Sequence, residues 1–128
     1  MDSGLLFVSP YSEDALSLAR MLDDASLNVV HVCGLKDAAS KLETGGFQVV
    51  VTATNLEDGT WLDLLHLTRS LGTELLVTDA WADARFWAEA INLGAYDLLA
   101  QPFQGTEVRR VIASASSRRP AVTAYTAA

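Results

Sequence analysis

The sequence has few of the residues that mark a disulfide-bonded, metal-bound or membrane protein. Its one cysteine, Cys33, excludes an internal disulfide, and no Cys/His spacing indicates a zinc site. No apolar run approaches the roughly 18 residues that a membrane-spanning helix needs. The short, acidic start, residues 1–4, is not typical of a signal peptide. We therefore expect a cytoplasmic protein without a metal, a cofactor or a membrane contact.

Basic residues are also scarce, since 9 Lys and Arg stand against 16 Asp and Glu and give a net charge of −7. Nonspecific nucleic-acid binding needs a basic face that displaces counterions from phosphates, so nucleic acid is not an expected partner. The local basic clusters are Arg109 with Arg110 and Arg118 with Arg119. They are interpreted as a solvated helix end, which the helix dipole favours, or as a contact for an acidic protein surface.

The most informative stretch is residues 47–65, which predicts a strand, a turn and a helix. Residues 49–51 are three consecutive valines, typical of a central parallel strand that is covered on both faces. The strand ends in a polar tip at residues 52–55, and Glu57-Asp58-Gly59 forms a turn before a leucine-rich helix. In doubly wound sheets, ligands bind beyond such strand ends.

The rest of the chain repeats this alternation. Strands are predicted at residues 5–8, 28–32, 74–78 and 96–100, and helices at residues 12–22, 35–43, 83–93 and about 108–115. Five strand–helix units imply right-handed crossovers and a parallel sheet with helices on both faces, an α/β fold. We expect one domain over residues 1–117, and a flexible tail or linker over residues 118–128, where no periodicity continues.

Three segments, in order, carry a family resemblance. They are Asn55-Leu56-Glu57-Asp58-Gly59 before the leucine-rich helix, Thr78 at the end of strand four, and Gly94-Ala95 followed by strand five and Gln101-Pro102-Phe103. This pattern resembles the receiver domain of bacterial response regulators. The resemblance implies a flavodoxin-like (βα)5 fold with strand order 2-1-3-4-5, and a role in two-component signalling.

The phosphorylation chemistry of that family is missing from the matching positions. The phosphate-accepting aspartate matches Ala53, the acidic pair that holds magnesium matches Ser9 and Pro10, and the lysine matches Gln101. Only Thr78 is retained. A methyl group accepts no phosphate, and a hydroxyl beside a proline is a poor site for a hard cation. The resemblance therefore implies a degenerate pseudo-receiver that is not an enzyme.

Asp79 follows Thr78 where the family usually has a small residue. It is interpreted either as a solvated loop carboxylate or as a side chain that points into the vacant pocket. In the second case, we expect it to accept hydrogen bonds from Ser9, Thr78 or Gln101 and to repel a phosphoryl donor.

Because the residues for phosphorylation are missing, we expect the function to depend on a binding surface. The resemblance implies a protein partner or a homodimer through helix four, strand five and helix five. The candidate interface residues in that region are Trp81, Phe86, Trp87, Tyr96, Leu98, Arg109 and Arg110.

The spacing of helix four predicts which of its residues are buried. Ala84, Trp87, Ala88 and Ile91 form the predicted inward stripe, which leaves Phe86 as an exposed anchor or as a ring folded over its own helix. Trp61 is interpreted as a second interface candidate or as a lid over the empty pocket.

We therefore predict an atypical, phosphorylation-independent receiver that serves as a protein-interaction or dimerisation module. One alternative is a phosphorelay receiver that uses unconventional residues. Another is a small flavodoxin-like ligand-binding protein, although no Gly-rich phosphate loop follows strand one.

Overall fold

The computed structural model describes residues 4–23, 27–81 and 83–127, with side chains up to residue 117. The strands are β1 Gly4–Val8, β2 Asn28–Val32, β3 Phe47–Ala53, β4 Asn55–Leu56, β5 Gly59–Thr60, β6 Glu74–Asp79 and β7 Asp97–Ala100. The helices are α1 Ser12–Met21, α2 Leu35–Thr44, α3 Trp61–Leu71, α4 Ala84–Leu93 and α5 Gly105–Ala127.

Five parallel strands form the main sheet in the order β2-β1-β3-β6-β7. Counting only these five, the order is 2-1-3-4-5, so the predicted doubly wound α/β fold is confirmed. Each strand alternates its side chains between two buried clusters, because successive residues of a strand point to opposite faces. In β3, Val50 belongs to the cluster shared with α2, α3 and α4, while Val49 and Val51 belong to the cluster shared with α1 and α5.

The segment between β3 and α3 is more ordered than the predicted turn. β4 and β5 pair as a small antiparallel ladder, with Asn55 opposite Thr60 and Leu56 opposite Gly59. The backbone N–H of Thr60 donates to the Asp63 carboxylate at 3.0 Å, which fixes the start of α3. This hairpin carries Asp58 toward the neighbouring helix α2.

Helix α5 extends further than the sequence predicts. Its backbone stays helical to Ala127, although the apolar spacing stops at residue 115. Helical hydrogen bonds are local and need no buried face, so hydrophobic periodicity gives no signal for this part. The flexibility of residues 118–128 stays a prediction. No helix in the described part of the chain is both long enough and apolar enough to span a membrane.

Candidate functional site

A cavity of about 270 Å³ opens at the carboxyl edge of the sheet. Adjacent strand ends form its floor, since Ala53 at the end of β3 pairs with Thr78 near the end of β6. The described residues that line it are Tyr11, Asp14, Ala53, Thr54, Asn55, Thr78, Asp79, Ala80, Trp81 and Gln101. Four of the six predicted pocket residues therefore lie together here: Ala53, Thr78, Asp79 and Gln101.

Ser9 and Pro10 are not among the described residues that line this cavity, which corrects their predicted place in it. Ser9 is fully buried, and its hydroxyl accepts a hydrogen bond from the backbone N–H of Tyr11 at 3.0 Å. Its carbonyl oxygen lies 2.8 Å from Nε2 of His31. The Ser9 side chain therefore stabilises the turn that leads into α1, and His31 contacts the backbone of the same turn.

The retained Thr78 is buried and faces the neighbouring strand. Its hydroxyl donates to the carbonyl oxygen of Leu99 in β7 at 2.8 Å. In this arrangement, the hydroxyl stabilises the β6–β7 pair at the cavity floor.

Asp79 lines the cavity, but its hydrogen-bond donors differ from those predicted. The hydroxyl of Thr54 donates to Oδ2 at 2.7 Å, and the backbone N–H of Trp81 donates to Oδ1 at 2.7 Å. Thr54 reaches Asp79 because Ala53 and Thr78, which precede these two residues, are paired in the sheet. The carboxylate therefore links the loop after β3 to the loop after β6.

Gln101 lies on the other side of the cavity, at the cis peptide bond to Pro102. Its amide Nε2 is 3.4 Å from Oδ2 of Asp14, a long hydrogen bond to a carboxylate on α1. Asp14 was not predicted as a cavity residue, because its place in the first turn of α1 already explains an acidic side chain. Among the described lining residues there are thus two carboxylates and no Lys, Arg or His.

Asp58, in the predicted turn, also has a structural role that the sequence did not indicate. Its carboxylate accepts hydrogen bonds from the backbone N–H groups of Leu35 at 2.6 Å and of Lys36 at 3.0 Å, so it caps helix α2 and not α3. These N–H groups, that of Lys36 first, hold the pKa of Asp58 below its ordinary value. A Cβ atom on Gly34 would lie 2.7 Å from Oδ1 of Asp58, so the glycine leaves room for this cap.

No group of three or more His, Cys, Asp or Glu side chains is placed to hold a metal ion in the part of the chain that the structure describes. In particular, Asp58 already uses both carboxylate oxygens to cap a helix.

The buried face of α4 is not the predicted stripe. Ala90 is fully buried, and Phe86 packs edge-to-face on Trp61 with ring centroids 6.0 Å apart. Trp61 is buried and is not among the residues that line the cavity, so it is neither an interface anchor nor a lid. Phe86 is half-buried and packs against the core, because Trp61 at the start of α3 offers it a partner that periodicity within α4 alone does not show.

The predicted stripe instead faces outward. Ala84 and Ala88 are exposed, and Trp87 and Ile91 are 37% and 40% exposed to solvent. Trp81, just before this helix, is 91% exposed. We call the apolar surface formed on this helix by Ala84, Trp87, Ala88 and Ile91 the α4 face.

The remaining interface candidates divide between core and surface. Leu98 is 3% exposed, which corrects its assignment to an interface, because both sides of β7 are covered. Tyr96 is half-buried, and its hydroxyl lies 2.5 Å from that of Ser114 on α5. Arg109 and Arg110 are exposed, and Nη1 of Arg109 donates to the carbonyl oxygen of Met21 at the end of α1.

Comparison with known proteins supports the resemblance seen in the sequence. No protein-family model matches the chain. The swarming motility regulation protein RssB of Serratia marcescens is 33% identical over 89 residues, which are 68% of this chain and 41% of that protein. The chain thus matches well under two thirds of the length of this relative.

Solved receiver domains share the whole fold. The signal receiver domain of a Vibrio parahaemolyticus protein assigned as a LuxO repressor superposes with a TM-score of 0.87 at 19% identity, covering 98% of each chain. The receiver domain of an HD domain-containing protein of Pseudomonas fluorescens gives 0.84 at 18% identity, over 95% of this chain and 92% of that one. The beryllofluoride-activated NtrC4 receiver domain dimer gives 0.82 at 21% identity, over 91% and 98%. The protein therefore has the receiver fold of response regulators.

Proposed function

We propose that this receiver domain works in two-component signalling without being phosphorylated, as a protein-interaction or dimerisation module. The observation that carries the proposal is Ala53, which stands at the end of β3, on the floor of the cavity, with a methyl group in place of an acceptor oxygen. Gln101 supplies an amide in place of a fixed positive charge. Phosphoryl transfer needs both an acceptor and compensation of the phosphoryl charge.

The carboxylate of Asp79 adds a second obstacle. It occupies the cavity wall beside Thr78 and is held there by Thr54 and by the backbone of Trp81. A phosphoryl group that approached the cavity would meet the negative charges of Asp79 and Asp14 without a lining cation. The loop after β6, which a phosphoryl group would have to attract, is already held by the hydrogen bonds of the Asp79 side chain.

The α4 face supplies the binding surface of this proposal. An exposed tryptophan, Trp87, next to Ile91 is the kind of residue that anchors interfaces. We infer that a second copy of the chain covers this face. Support comes from the NtrC4 receiver, which has the same fold and is described as a dimer.

Phosphorylation is tested by intact mass after incubation with Mg²⁺ and a small-molecule phosphodonor, with a phosphorylation-competent receiver in the same tube as a donor control. We expect no added mass on this chain while the control is modified. The double variant Ala53→Asp, Gln101→Lys tests whether restoring the acceptor and the lysine restores the adduct. A phosphoryl adduct on the unaltered chain would refute phosphorylation independence.

The α4 face is tested by sedimentation equilibrium over a range of concentrations. We expect a dimer that Ile91→Arg dissociates, because the new guanidinium would be buried against apolar side chains. Leu62→Arg is the matched control, since Leu62 is 44% exposed on a different helix. A monomer at all concentrations, or equal effects of the two variants, would contradict a dimer through α4.

A further inference from the structure

The cavity at the sheet edge has a composition suited to a ligand of the opposite charge to phosphate. Its described lining holds the carboxylates of Asp14 and Asp79, the amide of Gln101, and no basic side chain. From this lining, we propose that the cavity binds a guanidinium group.

Two exposed aromatic residues are among those that line the cavity. Trp81 is 91% exposed and Tyr11 is 63% exposed, and both line the same cavity. Aromatic faces attract cations through their quadrupole, and tryptophan does so most strongly.

The carboxylates keep capacity for further donors. Each carboxylate oxygen has two lone pairs, and Asp79 has one described donor on each oxygen. Asp14 has one long contact, at 3.4 Å, to the amide of Gln101. The side-chain amide of Gln101, which also lines the cavity, is neutral.

A guanidinium suits this lining better than a metal ion does. It is planar, stacks on aromatic faces and presents several N–H donors to carboxylates at once. A hard divalent cation asks for six or more oxygen ligands and gains little from indole or phenol rings. A cavity of about 270 Å³ exceeds the space that one ion needs and accommodates a guanidinium with part of its alkyl chain.

This inference depends on the proposed function, because the cavity is open to a cation only where no phosphoryl group forms. The guanidinium can come from an arginine side chain of a partner protein or from a small molecule such as free arginine. Both sources share the same chemistry at the cavity, and titration distinguishes them.

The test is a titration of the ¹⁵N-labelled chain with ethylguanidinium chloride, followed by the amide and indole N–H resonances of Trp81 and the amide resonance of Thr54. Sodium chloride at equal ionic strength and magnesium chloride are run in parallel. We expect saturable shifts with ethylguanidinium alone. A capped Ala-Arg-Ala peptide that binds more tightly than free arginine identifies a protein side chain as the ligand source, and the reverse order identifies a small molecule.

Variants locate the binding site. Trp81→Ala should weaken binding about two- to fivefold, as expected for the loss of one exposed cation–π contact. Asp79→Asn should weaken it about tenfold through the loss of a charged acceptor. Glu13→Gln is the control for charge, because it removes one negative charge, as Asp79→Asn does, from a residue that is not among those lining this cavity.

Three outcomes would overturn the inference: shifts equal to those with sodium chloride, tighter binding of Mg²⁺ at the same resonances, or an equal loss in Glu13→Gln and Asp79→Asn. The mass measurement with a phosphodonor is independent of these titrations. An unmodified chain that does not bind ethylguanidinium would refute the guanidinium site alone, whereas a phosphoryl adduct would refute the proposed function.

Discussion

The hydroxyl of Thr54 donates a 2.7 Å hydrogen bond to Oδ2 of Asp79 and so joins the loops that follow β3 and β6. The other oxygen of Asp79 holds the backbone of Trp81. One carboxylate thus sets the shape of the cavity and the start of the segment that leads to α4.

Replacing Thr54 by valine keeps the shape of the side chain and removes this hydrogen bond. Thr54→Val should lower the free energy of unfolding by about 1–2 kcal/mol, since the acceptor is charged and half-buried. Urea denaturation measures the change. A double-mutant cycle with Asp79→Ala should show strong coupling, and additive effects would mean that the two side chains contribute separately.

The α2 cap predicts an acid-dependent loss of stability. The folded pKa of Asp58 lies below its unfolded value, so its contribution is complete above the ordinary aspartate pKa and is lost as the pH falls through the folded value. The stability difference between the unaltered chain and Asp58→Asn should therefore shrink on acidification. Urea denaturation at several pH values measures it. Glu57→Gln, in the same turn, is the control; a difference between Asp58→Asn and the unaltered chain that does not change with pH would contradict this linkage.

Gly34 and Asp58 should be coupled through space. In Gly34→Ala, the new Cβ would displace the Asp58 carboxylate from its position 2.7 Å away, and α2 would lose its cap, which should lower the melting temperature. In an Asp58→Ala background, the same change should be close to neutral, because no carboxylate remains to be displaced. Thermal melting of the four proteins tests this, and an equal cost of Gly34→Ala in both backgrounds would exclude the steric cause.

Phe86 and Trp87 are neighbours in sequence with opposite roles in stability. Phe86→Ala should lower the free energy of unfolding by about 2–3 kcal/mol, because it leaves a gap beside the buried Trp61. Trp87→Ala should cost less in the monomer, since Trp87 is 37% exposed and belongs to neither buried cluster. Chemical denaturation at low protein concentration compares them, and a larger loss for Trp87→Ala would show that the original inward stripe is correct.

Much of the fold could be predicted from the order of local patterns. Runs such as residues 49–51 gave a strand buried on both faces, and the alternation of five strands with five helices left few possible topologies. The family pattern then placed Ala53, Thr78 and Gln101 at one edge of the sheet, and the structure brings all three to the same cavity. Helix α5 beyond residue 117 was missed because a helix without a buried face has no hydrophobic period.

The site was predicted less well, because its contacts join residues that are distant in sequence. Thr54 and Asp79 are 25 residues apart, and Leu35 and Asp58 are 23 apart. Asp14 and Gln101 are separated by 87. Spacing along the chain does not show such pairs.

The sequence by itself determined the strand and helix order, the sheet buried on both faces, and the absence of a carboxylate at position 53, since each is a property of local residue type or period. Only the tertiary structure decided which face of α4 is buried, which groups donate hydrogen bonds to Asp79 and which helix Asp58 caps. The physical reason is that a side chain settles against whichever surface other elements present. Phe86 packs against Trp61, whereas Trp87 is partly exposed to solvent.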